Sequence, residues 1–285
     1  MRLFKFIYFP FLLLFCIISG CNIINPEESI PAFVEIKAMN LAPNSNFGSN
    51  SSNIKDVWVY ADGQFIGTFE LPAKFPVLLA GNHNFQFGAG IFKNGIASTR
   101  AKYPFYKFDA RTLNLIEGQT ITIDTLTVEY FSGLKAKIVE GFEGSSFPLD
   151  TLSTSLAPLA FDTANAFEGK KCLKLEVTSI DSVLECKTNG PYNYFDLGKS
   201  VYLELDYKCD EKFYIGIMST ASLTSKAIIL QVNPSASWNK IYLDLSQTVV
   251  NYGISNGFQI YFLLKKDPNT SKSTVYLDNL KLLQD

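Results

Sequence analysis

Beyond residue 21 the chain never sustains an apolar period of 3.6; short apolar runs give way to turn residues about every 8 to 12 positions. That rhythm restricts the fold more than any overall figure does. A buried helix needs apolar positions three and four apart, whereas alternating runs suit strands with one face covered. Aromatic residues make up 14% of the sequence, with 24 Phe and 14 Tyr against 2 Trp. Such rings fit a pleated, half-buried surface. The pattern predicts an all-β protein, and 285 residues are enough for two β-sandwich domains, over 31–131 and 138–285.

In the first domain "FVEIKAMNLAP" supplies a strand and "GSNSSN", 48–53, a polar loop. "IKDVWVYADGQFIGTFELP" reads as a hairpin turning at Asp62-Gly63, because Gly63 tolerates positive φ. "FPVLLAGNHNFQFGAG" adds two strands around Gly81-Asn82, and "QTITIDTLTVEY" closes the set. The residues Val59, Tyr60, Asp62, Gly63 and Gly67, followed by Leu79, Gly81, His83 and Phe85, resemble PEGA-type and other small immunoglobulin-like modules of bacterial envelope proteins. The resemblance spans about 30 residues and implies a spacer or interaction platform. "FKNGIASTRAKYPFYKF" departs from it and reads as an inserted hairpin, with Arg100, Lys102 and Lys107 among Tyr103, Phe105 and Tyr106 as a candidate contact patch.

In the second domain strands are expected at 172–178, 183–187, 192–195, 201–208, 212–219, 226–232, 238–245, 257–264 and 274–282, a count that suits a jelly roll. "GFEG" at 141–144, "GKKCLKLEV" at 169–177, "WNKIYLDLS" at 238–246 and the terminal "VYLDNLKL" resemble galactose-binding-like and carbohydrate-binding sandwich modules. Glu143 and Asp278 fall where such modules place ligands of a structural calcium ion; that ion would need six to eight oxygens, and two side chains are in view. Apart from it, no cofactor is implied.

The start of the chain indicates location. Arg2 and Lys5 precede an apolar run, 6–18, that is too short to span a bilayer comfortably and suits a secretory signal over 1–20. Ile18-Ser19-Gly20-Cys21 resembles a bacterial lipobox, which implies lipidation of Cys21 and a short tether, 21–30. The expected site is the cell envelope, anchored by lipid at the outer membrane and facing either the periplasm or the surface.

Along the second domain's strands, Val201, Leu203, Leu205 and Tyr207 alternate with Tyr202, Glu204, Asp206 and Lys208. Ile241 and Leu243 alternate with Tyr242 and Asp244, Phe213 and Ile215 with Tyr214, and Ile260 and Phe262 with Gln259 and Tyr261. The apolar set builds a core. The other set pairs aromatic faces with carboxylates and amides, the groups that hold a sugar, or it packs across strands beside solvated acids. Tyr202, Tyr214, Trp238, Tyr242 and Tyr261 are the candidate ligand residues, with Tyr192, Tyr194 and Tyr252 as loop alternatives.

Three functions remain in view: a non-catalytic polysaccharide-binding lipoprotein, an assembly lipoprotein contacting envelope proteins, and a glycoside hydrolase. No catalytic residue is assigned. His83 is the single histidine and has no Ser or Cys nucleophile near it in sequence, which excludes a familiar triad. The 25 basic residues, of which Arg2 and Lys5 leave with the signal, face 27 acidic ones and form no block, so a nucleic-acid partner is excluded. Cys172 and Cys186 flank an expected hairpin near Ser179 and either pair, leaving Cys209 free, or all three stay reduced.

Overall fold

The computed structural model describes residues 28–285 apart from 191, 193, 194, 197, 221–224 and 253–256. Cys21, the tether to residue 27 and Tyr194 lie outside the described residues. The fold is all-β, and its buried apolar residues form two clusters.

The N-terminal strands are β1 (Ala32–Leu41), β2 (Asp56–Ala61), β3 (Gln64–Glu70), β4 (Ala73–Val77), β5 (Gly81–Phe92), β6 (Arg100–Lys102), β7 (Asp109–Leu115) and β8 (Thr120–Val128). One sheet runs β4-β1-β8, with β1 and β8 parallel. The facing sheet runs β3-β2-β5, and β5 is long enough to carry β7 along 81–87 and β6 along 90–92. Period-two alternation selects the core: Val34 and Ile36 from one sheet meet Val57, Val59, Phe85 and Phe87 from the other. The Asp62-Gly63 turn takes positive φ at both residues, 50° and 80°, the form that matches strand twist in a two-residue hairpin.

The C-terminal strands are β9 (Lys135–Glu140), β10 (Leu149–Thr151), β11 (Leu159–Asp162), β12 (Cys172–Thr178), β13 (Val183–Thr188), β14 (Val201–Cys209), β15 (Phe213–Ser219), β16 (Lys226–Val232), β17 (Ser235–Asp244), β18 (Phe258–Lys265) and β19 (Lys272–Gln284). Helix α1 (Ser246–Tyr252) follows β17. A five-stranded sheet, β10-β13-β18-β15-β16, faces a six-stranded one, β11-β12-β19-β14-β17, in which β9 also pairs with β19. All of these pairings are antiparallel. No helix among the described residues is long and apolar enough to cross a membrane.

The hairpin expected near Ser179 is absent. β12 and β13 pair with different neighbours in different sheets, so the chain crosses the core between them. Cys172 and Cys186 therefore lie in separate layers, and both are buried free thiols, as is Cys209. The two strands expected around Gly81-Asn82 are β4 and β5, which sit in opposite sheets, so Gly81-Asn82 opens the second of them.

Candidate functional site

The six-stranded sheet turns its apolar side chains inward and presents Tyr202, Glu204, Asp206 and Lys208 of β14, with Trp238, Lys240 and Tyr242 of β17, on its outer face. The N-terminal half divides that face in two. Tyr103, Phe105, Tyr106 and Tyr130 cover one part, and Tyr202, Tyr242 and Leu283 join the N-terminal buried cluster. Ring centroids of Tyr103 lie 5.2 Å from Tyr202 and 4.8 Å from Tyr242.

Beneath those rings Glu204 accepts from the hydroxyls of Tyr103, at 2.6 Å, and Tyr130, at 2.9 Å. Lys240 Nζ lies 3.1 Å from Glu204, and Lys281 Nζ donates to the Ser49 carbonyl at 2.5 Å. Asp206 accepts from Ser51 and Asn279, while Asn53 N–H donates to the Tyr242 hydroxyl at 3.0 Å. Two lysines thus match two acids inside a buried layer, where unpaired charge would be costly. Burial works against the charged form of Glu204, but Lys240 and Lys281 outweigh it and hold the carboxyl below its ordinary range. Burial lowers Lys281 to about 8 against the pull of Glu204, and raises the Tyr242 phenol to about 12.

Of the expected ligand residues, then, Tyr202 and Tyr242 are sealed inside the protein and unavailable to a polysaccharide. The aromatic residues of the expected contact patch, Tyr103, Phe105 and Tyr106, are the lid that seals them. Arg100 from the same insert pairs with Asp56 and Glu70 on its own sheet.

The other part of the face is open. A cavity of about 480 Å³ there is lined by Asn165, Lys208, Asp210, Ser235, Ala236, Lys272, Thr274 and Tyr276. Tyr276 and Lys208 are register partners across β19 and β14, and the ammonium stands 5.7 Å from the ring centre. Asn165 Oδ1 accepts from Lys208 at 3.2 Å, and its amide donates to Asp162 at 3.1 Å. Glu176 accepts from Lys174, Lys272 and Thr274 at 2.8, 3.2 and 3.4 Å. Trp238 lies two residues from Ala236 on the same strand face, half-buried, and packs on the exposed ring of Phe167 at 5.4 Å. The cavity thus presents one aromatic ring, Tyr276, with paired donors and acceptors around it. None of the five expected ligand residues lines this cavity; Trp238 comes nearest along the chain, two residues beyond the lining Ala236. Tyr276, Asn165 and Lys272 escaped the sequence reading, although Lys272, Thr274 and Tyr276 alternate with Val275 and Leu277 as an outward set would.

Tyr214 and Tyr261 lie on the other sheet, on the outer face of β15 and β18. Tyr261 is buried and its hydroxyl donates to Glu185, which also accepts from Thr154 and, at 2.9 Å, from Lys226. Lys187 donates to Gln259 at 3.0 Å. The polar groups there satisfy one another, and Tyr214 is half-buried. The Tyr192 hydroxyl donates to the Asn189 carbonyl at 3.1 Å, so it too is engaged within the protein.

Glu143 and Asp278 both clasp the loop before β12. Asp278 accepts from the amides of Phe167, Glu168 and Asn279 at 3.1, 3.3 and 2.8 Å, and Glu143 from those of Lys170 and Lys171 at 2.8 and 3.1 Å. Amide donors aimed at both carboxylates do not make the six to eight oxygens calcium takes. Among the described residues no group of three or more His, Cys, Asp or Glu is placed to hold a metal ion. Burial raises Asp278 to about 6 in spite of its amide donors. His83 bonds Asp62 through Nδ1 at 2.6 Å and the Ala80 carbonyl through Nε2 at 3.0 Å, bracing the β2–β3 turn.

No family model matches the sequence, and no curated protein matches it. Among solved structures, a family 29 carbohydrate-binding module complexed with mannohexaose is 16% identical at a TM-score of 0.35, over 53% of this chain and 90% of that one. The family 11 carbohydrate-binding module of a cellulosomal cellulase of Clostridium thermocellum is 15% identical at a TM-score of 0.37, over 53% of this chain and 95% of that one. At these scores the likeness carries no functional weight.

Proposed function

We propose that the chain is a non-catalytic, lipid-anchored protein of the cell envelope that binds polysaccharide on its C-terminal sandwich, with 31–131 and 138–285 as its two domains. The observation that carries this reading is the open cavity that Tyr276 lines. A sugar ring stacks its C–H face on an aromatic side chain and spreads hydroxyls that both donate and accept. Tyr276 offers the face within the cavity, and Trp238, two residues along β17 from the lining Ala236, offers a second to a chain that extends past it; Asn165, Lys208, Asp210 and Lys272 offer the polar partners. Neighbouring cations and anions balance, which favours a neutral glycan over a strongly charged one. The anchor rests on the signal run and on Ile18-Ser19-Gly20-Cys21.

Thermal melting with a panel of soluble polysaccharides tests the binding. A ligand held at about 100 times its dissociation constant stabilises the folded state by about 2.7 kcal/mol. At least one neutral polysaccharide is expected to raise the melting temperature, and Tyr276→Ala to abolish the rise. A panel that leaves the temperature unmoved favours the assembly role instead. Mass spectrometry of the mature amino terminus tests the anchor: acylated Cys21 is expected, and a free thiol would refute it.

A further inference from the structure

The N-terminal sandwich has one end closed by the C-terminal half and one end open. β1 begins at the open end and β4 finishes there; the β2–β3 hairpin and the turn after β7 complete it. Ile30, Ile66, Leu78 and Ile116 are exposed there, by 59%, 36%, 69% and 48%. The Pro31 carbonyl accepts from Gly118 N–H at 3.0 Å, which ties Ile30 to the turn that carries Ile116. Between Ile66 and Leu78 runs a groove of about 620 Å³ that includes Pro31, Pro76 and Val77. Its one charged lining residue, Asp62, is bonded to His83. Glu117 is exposed beside Ile116, but the rim is predominantly apolar, and an exposed apolar rim of this kind marks a place where something docks.

We propose that this tip rests on the bilayer surface that holds the lipid of Cys21. The inference builds on the lipid-anchor reading above. Residues 22–30 separate Cys21 from the first folded residue, and a chain of that length spans at most about 30 Å. The first folded surface it can bring to the membrane is this rim. Strands β1, β2 and β8 run from the tip to the opposite end, where Ser51, Asn53 and Tyr130 meet the C-terminal sandwich. Seating the tip therefore points the open cavity away from the lipid. Because the rim lacks a basic cluster, it inserts through apolar contact and not through attraction to phosphate, so raising the salt concentration leaves it seated.

The test uses the full lipidated chain reconstituted into phosphatidylcholine vesicles. Leu78→Cys and, separately, Ile180→Cys in the C-terminal sandwich are labelled with an environment-sensitive fluorophore; Cys172, Cys186 and Cys209 are buried. Nitroxide carried on the lipid tails is expected to remove most of the emission from position 78 and little from position 180, in low and high salt alike. Flotation with the vesicles without quenching at 78 would overturn the seat and leave the anchor standing. Failure to float at all would overturn both. Quenching at 78 that depends on protein concentration, with a dimer seen in detergent, would assign the rim to a second copy of the chain and overturn the bilayer as its partner.

Discussion

At the level of single side chains, the two halves are joined by a small number of buried groups with no spare partner. Glu204 has two tyrosine donors and two lysines around it. Tyr103→Phe or Tyr130→Phe removes one donor and is expected to cost about 1–3 kcal/mol in chemical denaturation. Lys240→Met leaves more buried charge unpaired and is expected to cost about 3–5 kcal/mol. His83 provides a pH signature. Both its nitrogens face acceptors, which the imidazolium alone can satisfy, and the hydrogen bond it donates to Asp62 raises its pKa. Its contribution is therefore complete below about 6.5 and is lost as pH rises through the higher folded value. An NMR titration of its ring protons should show a midpoint above 6.5; His83→Phe should remove that part of the stability profile. Asp278 behaves in the same sense for a different cause. Burial lifts it to about 6, so the folded state holds a proton between about pH 4 and 6 that the unfolded chain has released. Stability from this group is full below that window and is lost across it, and Asp278→Asn should flatten the slope there.

Among the strands, alternation identifies both existence and inward face. Val201, Leu203 and Leu205 are core residues, as are Phe258, Ile260 and Phe262, and the expected strand at 172–178 coincides with β12. Sheet membership was not legible, because a period of two fixes which side chains share a face and says nothing about which strand lies alongside. Hence Tyr202 and Tyr242 went to one sheet and Tyr214 and Tyr261 to the other. A local signal of the sealed face does exist: Lys281 sits inside the apolar run of β19, where a solvated lysine would have no reason to be. The polar 48–53 loop shows the same limit. Its Ser and Asn residues look like a solvent turn, yet Ser49, Ser51 and Asn53 serve the buried layer. One strand irregularity allows a direct check. Between Ile215 and Gly216 the β15–β16 register slips, and a Cβ on Gly216 would collide with the Ala227 carbonyl. Gly216→Ala is expected to cost about 1–3 kcal/mol in denaturant unfolding, whereas Gly133→Ala, with open space around it, should cost much less.

Taken whole, the molecule joins an apolar tip, a braced sandwich, a sealed seam, and a second sandwich with its open cavity. The seam has a thermodynamic consequence. Tyr202, Tyr242 and Leu283 belong to the N-terminal cluster, so the halves should unfold together in one calorimetric transition, and Lys240→Met should split it into two. Separate transitions in the unaltered protein would show that the seam is weak. The central claim concerns the cavity, and isothermal titration with the polysaccharide that most raises the melting temperature tests it most directly. Loss of at least about tenfold in affinity is expected for Tyr276→Ala and for Trp238→Ala, with Tyr242→Phe binding as the parent does. Undiminished binding by both Tyr276→Ala and Trp238→Ala would contradict the account.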